Sequence, residues 1–101
     1  MRIFYKKTAI DDIQETEQYI RQELHNRKAA HNLTRLIVKA ISGLADQPYT
    51  GIRLNTKVDL ETDLRFLTIS KQLIFYRVNG DHIEITQIID GRRDYMTHLF
   101  N

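Results

Sequence analysis

Asn79-Gly80 lies between two runs rich in β-branched and aromatic residues, QLIFYRV and DHIEITQIID. An Asn-Gly pair in that setting is a strong hairpin signal, because a type I′ turn needs positive φ at both central residues. With those two residues as the loop, Tyr76 pairs with Ile83 and Ile74 with Ile85 on one face. Phe75 then opposes Glu84, and Arg77 opposes His82, on the other. One face reads as apolar and the other as mixed. The preceding run, Leu64 to Ser70, turns back at Ser70-Lys71-Gln72 and places Leu67 and Ile69 on the same side as Arg65. The expected unit is a three-stranded antiparallel meander with arginines projecting from it.

A chain of 101 residues is large enough to bury about 60 to 70% of its unfolded surface, so the whole of 1–101 is expected to form a single domain. Cysteine is absent, which removes disulfides and thiolate metal sites and suits a reducing compartment. No apolar run approaches the roughly 18 residues of a membrane span, and MRIFYKK lacks the apolar core of a signal peptide. The expectation is a soluble, cytoplasmic protein with no membrane contact. A net charge of +2, from 15 Lys and Arg against 13 Asp and Glu, does not by itself indicate nucleic acid. Its distribution is uneven: Arg92 and Arg93 follow the last strand and join Arg65 and Arg77 from the sheet, whereas Asp11, Asp12, Glu15 and Glu17 crowd the first helix.

Arg2 to Tyr5 is a short strand candidate, expected at an edge of the later sheet. Thr8-Ala9-Ile10-Asp11 resembles a capping box with Asp in place of Glu, which starts a helix of about 15 residues. Ile10, Ile13, Ile20 and Leu24 give it one apolar stripe. His25-Asn26-Arg27-Lys28 breaks the pattern, and Asn26 is placed to cap a second helix carrying Ala30, Leu33, Ile37, Ala40, Ile41 and Leu44. So short a link makes the two helices antiparallel neighbours. Asp46-Gln47-Pro48 stops the second helix, and residues 49–63 carry neither period, so a loop is expected there. Tyr95, Met96, Leu99 and Phe100 fall at helical spacing near the end. The order is β-αα-βββ-α, an α+β fold with a helical hairpin packed on one face of a small antiparallel sheet. Ile13, Ile20, Leu33, Ile37, Ile41, Leu67, Ile74, Tyr76, Ile83 and Ile85 are expected to form one core.

No phosphate loop, HExxH motif or nucleophile elbow occurs, and His25, His31, His82 and His98 show no ligand spacing with carboxylates. No metal and no cofactor is expected. His25 and His31 read as surface residues, and His82 as an exposed cross-strand neighbour. His98 lies near the arginines, where a general base is conceivable. Arg65, Arg77, Arg92 and Arg93 suit phosphate or carboxylate partners through their guanidinium forks. The alternative for each is structural, as cover for apolar surface or, for Arg93 with Asp94, an ion pair.

The element order, the segment LRFLTISKQLIFYRVNGDHIEITQIIDGRRDY and the helix KAAHNLTRLIVKAISGLADQP resemble the RelE/ParE family of toxins from bacterial type II toxin–antitoxin modules, and within it the ParE-like members. The resemblance implies a small sheet carrying a helical hairpin, and a cognate antitoxin whose C-terminal segment wraps the toxin. It also divides the function by target. RelE-like members cut messenger RNA on the ribosome; ParE-like members poison DNA gyrase. Where the ribonucleases use a set of basic residues and a tyrosine, the aligned positions here are Arg65, Leu67, Leu73, Arg93 and Leu99. Only two of the five keep a group that moves protons or stabilises a phosphorane. The first expectation is therefore a protein inhibitor of gyrase rather than an enzyme, with Arg92, Arg93, Tyr95, Met96, Leu99 and Phe100 as target-binding residues. The alternative is a ribosome-dependent endoribonuclease using Arg65, Arg77, Arg93, Tyr95 and His98, and a third reading is a toxin-like fold that only binds an antitoxin.

Overall fold

The computed structural model describes residues 1–100. Strand β1 (Arg2–Tyr5) leads into helix α1 (Lys7–Gln22) and its antiparallel neighbour α2 (Arg27–Gly43). Strand β2 (Ile52–Arg53) and a single 3₁₀ turn (Leu54–Thr56) follow, then β3 (Arg65–Ile69), β4 (Gln72–Asn79), β5 (His82–Asp90) and the short helix α3 (Tyr95–Phe100). The five strands form one sheet in the order β1-β5-β4-β3-β2. β1 runs parallel to β5, with Ile3 beside Ile83 and Tyr5 beside Ile85; the remaining neighbours are antiparallel.

The hairpin forms one position later than the Asn-Gly signal indicates. Asn79 pairs with His82, so the turn residues are Gly80 and Asp81, and only Gly80 has positive φ, +65°. That is the type II′ pattern, with glycine at the first central position. Each partner consequently moves by two residues: Tyr76 lies opposite Ile85, Val78 opposite Ile83 and Arg77 opposite Glu84. A shift of two keeps every side chain on its expected face.

A bulge at Thr86 then breaks the alternation, since Tyr76 pairs with Ile85 but Phe75 with Gln87 and Ile74 with Ile88. The extra residue lets both Ile85 and Ile88 face the helices. The backbone groups around it are satisfied from α1: Thr8 Oγ1 donates to the Thr86 carbonyl at 2.6 Å, and the Ile88 amide donates to Asp12 Oδ2 at 2.8 Å. Thr8 therefore ties helix to sheet and does not cap the helix, whose N-cap is Lys6 without a side-chain bond. Asp11 and Asp12 fall in the second turn. Asn26 does cap α2, accepting from the Ala29 amide at 2.9 Å.

The sheet carries two cores, one per face. Between helices and sheet, Ala9, Ile37, Ile41, Leu44, Ile74, Tyr76, Ile83, Ile85 and Ile88 are buried, with Ile13, Leu33 and Leu67 partly buried against them. Ile20 lies outside that cluster, at its border. On the other face, Leu54, Leu64, Phe75 and Ile89 are buried beneath Val58, Phe66, Leu73, Tyr95 and Leu99. The segment 49–63 is thus anchored rather than free. Leu54 is fully buried, its amide donates to the Leu64 carbonyl at 2.9 Å, and β2 pairs with β3. The Tyr76 hydroxyl fixes the entry to that segment, accepting from the Gly51 amide and donating to the Pro48 carbonyl, each at 2.8 Å.

Candidate functional site

Helix α1 does not bury its whole apolar stripe. Ala9 and Ile13 face the sheet, but Tyr19 and, two residues past the end of the helix, Leu24 are each 57% exposed. These two, with Ile20, Thr16 and Leu33 of α2, form one wall of an open groove of about 840 Å³. The opposite wall is the β3–β4 turn (Ser70, Lys71), Gln72 and the end of β5 (Ile88, Asp90), continued by Arg92 and Arg93. Tyr19, Ile20, Leu24, Leu33 and Ile88 give it apolar surface, and Asp12, Glu15, Lys71, Asp90, Arg92 and Arg93 give it charge of both signs.

Three features of the groove bear on binding. Asp12 is half-buried at one end, and burial is the main influence pushing its carboxyl above the usual range, against the lowering effect of the Ile88 amide. Asp90 is held at about 2, first by its side-chain hydrogen bond from Arg92, whose Nε and Nη2 reach the carboxylate at 2.9 and 2.5 Å. The salt bridge occupies Arg92, so Lys71 and Arg93 are the rim cations that no carboxylate holds among the described residues. Finally, Gln72 is 8% exposed and its Oε1 is buried without a hydrogen-bond partner. A buried acceptor left open is costly.

The arginines and tail residues singled out in the sequence do not gather into one site. Arg65 donates to the Gly51 carbonyl at 2.9 Å and stacks on Tyr49 at 4.9 Å from the ring centre. Arg77 points to the opposite face of the sheet, engaged by Asp63 at 3.2 Å and Glu84 at 3.5 Å. Tyr95 packs on Phe75 with ring centres 5.7 Å apart, and Leu99 joins the same cluster. Arg93 and His98 do meet, Nη2 to Nε2 at 2.8 Å. Asp94 is not paired with Arg93. It caps α3, accepting from the Thr97 amide and, at 2.7 Å, from its hydroxyl, which holds its carboxyl below the usual range. Met96 is half-buried and Phe100 is 47% exposed. Sequence periodicity missed the groove because Tyr19, Lys71 and Gln72 come together only through the packing of α1 across the β3–β4 turn. The one visible signal was the stripe from Ile20 to Leu24 extending past the core.

Among the described residues, no group of three or more His, Cys, Asp or Glu is placed to hold a metal ion, and no helix is long and apolar enough to cross a membrane. The family model for the ParE toxin of type II toxin–antitoxin systems, parDE, matches residues 3–95. The chromosomal ParDE TA system from P. aeruginosa contains a chain of similar structure, with a TM-score of 0.74 and 21% sequence identity, covering 89% of this chain and 95% of that one. At that identity the likeness concerns the fold. A comparison with curated proteins gives no match.

Proposed function

The chain belongs to the ParE toxin family of type II toxin–antitoxin systems, and from that membership we propose that it poisons DNA gyrase in the cytoplasm and is silenced by a cognate antitoxin seated in the α1 groove. The observation that carries the choice of target is the dispersal of the groups a ribonuclease needs. Arg65 and Arg77 lie on opposite faces of the sheet, Arg77 is held by two carboxylates, and Tyr95 is packed against Phe75. In-line cleavage through a 2′-hydroxyl requires acid, base and charge stabiliser around one phosphate. Only Arg93 and His98 converge, and that pair is what sustains the ribonuclease as second reading.

The target contact is assigned to Arg92, Arg93, Met96 and Phe100. Tyr95 and Leu99 hold the tail against the second core. Arg92 and Arg93 also line the groove, so an antitoxin lying there covers part of the same surface, which gives neutralisation by occlusion. The antitoxin segment suited to the groove carries apolar anchors against Tyr19, Ile20 and Leu24 and a carboxylate near Lys71 and Arg93. Controlled expression tests the reading in cells: replication arrest and a DNA-damage response with ribosome-bound messages intact in primer extension are expected. Codon-phased cleavage of messages without DNA damage would replace it with the ribonuclease.

A further inference from the structure

Helix α2 contains no acidic residue, and it holds Arg27, Lys28, Arg35 and Lys39. These four charges exceed the net +2 of the whole chain, so the rest of the molecule is net acidic by two charges. Arg27, His31, Arg35 and Lys39 recur every four residues, with Lys28 beside them, and all five are exposed. Helical geometry puts Lys28, Arg35 and Lys39 opposite the core side marked by Ala30, Ile37 and Ile41. His31 and Arg27 lie on the flank of that arc, beside Glu17 and Arg21 of α1, and residues four apart are about 6 Å from each other along the axis. Among the described residues no carboxylate pairs with any of the four cations. Glu17, which lines the same shallow depression as Arg27 and His31, is already engaged by Arg21 and Thr34.

Such a stripe works against the helix that carries it. Like charges four residues apart repel, and Arg27 and Lys28 sit in the first turn, where the helix dipole disfavours cations. Among the described residues, none of the four forms a salt bridge in return.

We infer that the outer face of α2 is a docking surface for the phosphate backbone of double-stranded DNA. The arc offers no Trp, Tyr or Phe, so it lacks the aromatic anchors of a protein interface and the stacking platforms that single strands use. What it offers is a rigid row of cations, which neutralises phosphates without reading bases. This surface is separate from the α1 groove and the tail, and it stands whether or not gyrase is the target.

Fluorescence anisotropy of a labelled 20-base-pair duplex, titrated with the purified full chain across a salt series, tests the inference. With about four phosphates neutralised, affinity should fall about a hundredfold between 50 and 200 mM salt. The variant R35Q/K39Q should reduce the slope of log affinity against log salt by about two, because each lost contact removes about one. Its circular dichroism and melting temperature should match the parent. The control K6Q/K57Q should bind as the parent does. No binding at 50 mM salt, a loss in the control equal to that in R35Q/K39Q, or equal affinity for a polyglutamate peptide would each overturn the inference, the last in favour of an acidic protein partner.

Discussion

Ile37 and Gly51 show what a single position can enforce. Ile37 is 1% exposed between α2 and the sheet, and Ile37→Ala should cost about 2 to 5 kcal/mol in urea melts, as core truncations do. This much the 3.6-residue period of the second helix already specified. Gly51 was not legible. A Cβ there would stand 2.5 Å from the Tyr76 hydroxyl oxygen and 2.9 Å from the Phe66 carbonyl, so Gly51→Ala should be destabilising and should free the segment that Tyr76 pins. Amide exchange of residues 49–54 would register that release. The Asp90–Arg92 pair adds a pH test. Because the folded carboxyl titrates at about 2, below its ordinary value of about 3.9, its contribution is complete above that value and is lost as pH falls from about 4 towards 2. In a carboxyl-detected NMR titration, Arg92→Ala should return Asp90 towards the ordinary range.

At the scale of elements, the hairpin shows why faces are easier to read than registers. Alternation in β4 and β5 is a local property, so the helix-facing set Ile74, Tyr76, Ile83 and Ile85 was recoverable from sequence. The choice between Asn79-Gly80 and Gly80-Asp81 as the turn depends on how the bulge at Thr86 and the docking of α1 settle the far end of the ladder. That bulge has no signature in ITQII. It exists because Thr8 and Asp12, almost 80 residues earlier, satisfy its backbone. Thr8→Val, which keeps the shape and removes the hydroxyl, should therefore cost about 1 to 3 kcal/mol in urea melts, the range for leaving a buried carbonyl unpaired. The segment 49–63 looked structureless for a similar reason, since Leu54 has partners only once β3 and α3 are in place. The groove follows from the same docking. Tyr19→Asp and Leu24→Asp should weaken a co-expressed antitoxin in pull-down and calorimetry while leaving the melting temperature unchanged, since both side chains are already exposed.

For the whole molecule, the sheet acts as a two-sided scaffold. One face carries the helical hairpin and, along α1, a groove suited to an antitoxin; the other carries the tail with Phe100 outward. This arrangement separates the groups a ribonuclease would need to bring together, and it places Arg92 and Arg93 where groove and tail meet. The element order was readable because helix and strand periods differ. The separation of Arg65 from Arg77 was not, because a three-residue turn at Ser70-Lys71-Gln72 would set them opposite each other on one face, whereas Ile69 pairs with Gln72 and Arg65 with Tyr76. Which side chains would be tied up, Arg77 by Asp63 and Glu84, or Tyr95 by Phe75, depended on tertiary packing and was not. The most direct measurement is a supercoiling assay with purified gyrase, relaxed plasmid and the antitoxin-free chain. Loss of supercoiling with accumulation of cleaved plasmid, reversed by antitoxin and weakened by Phe100→Ala at unchanged stability, is the predicted result. Unimpaired supercoiling at toxin in large excess over gyrase would contradict it.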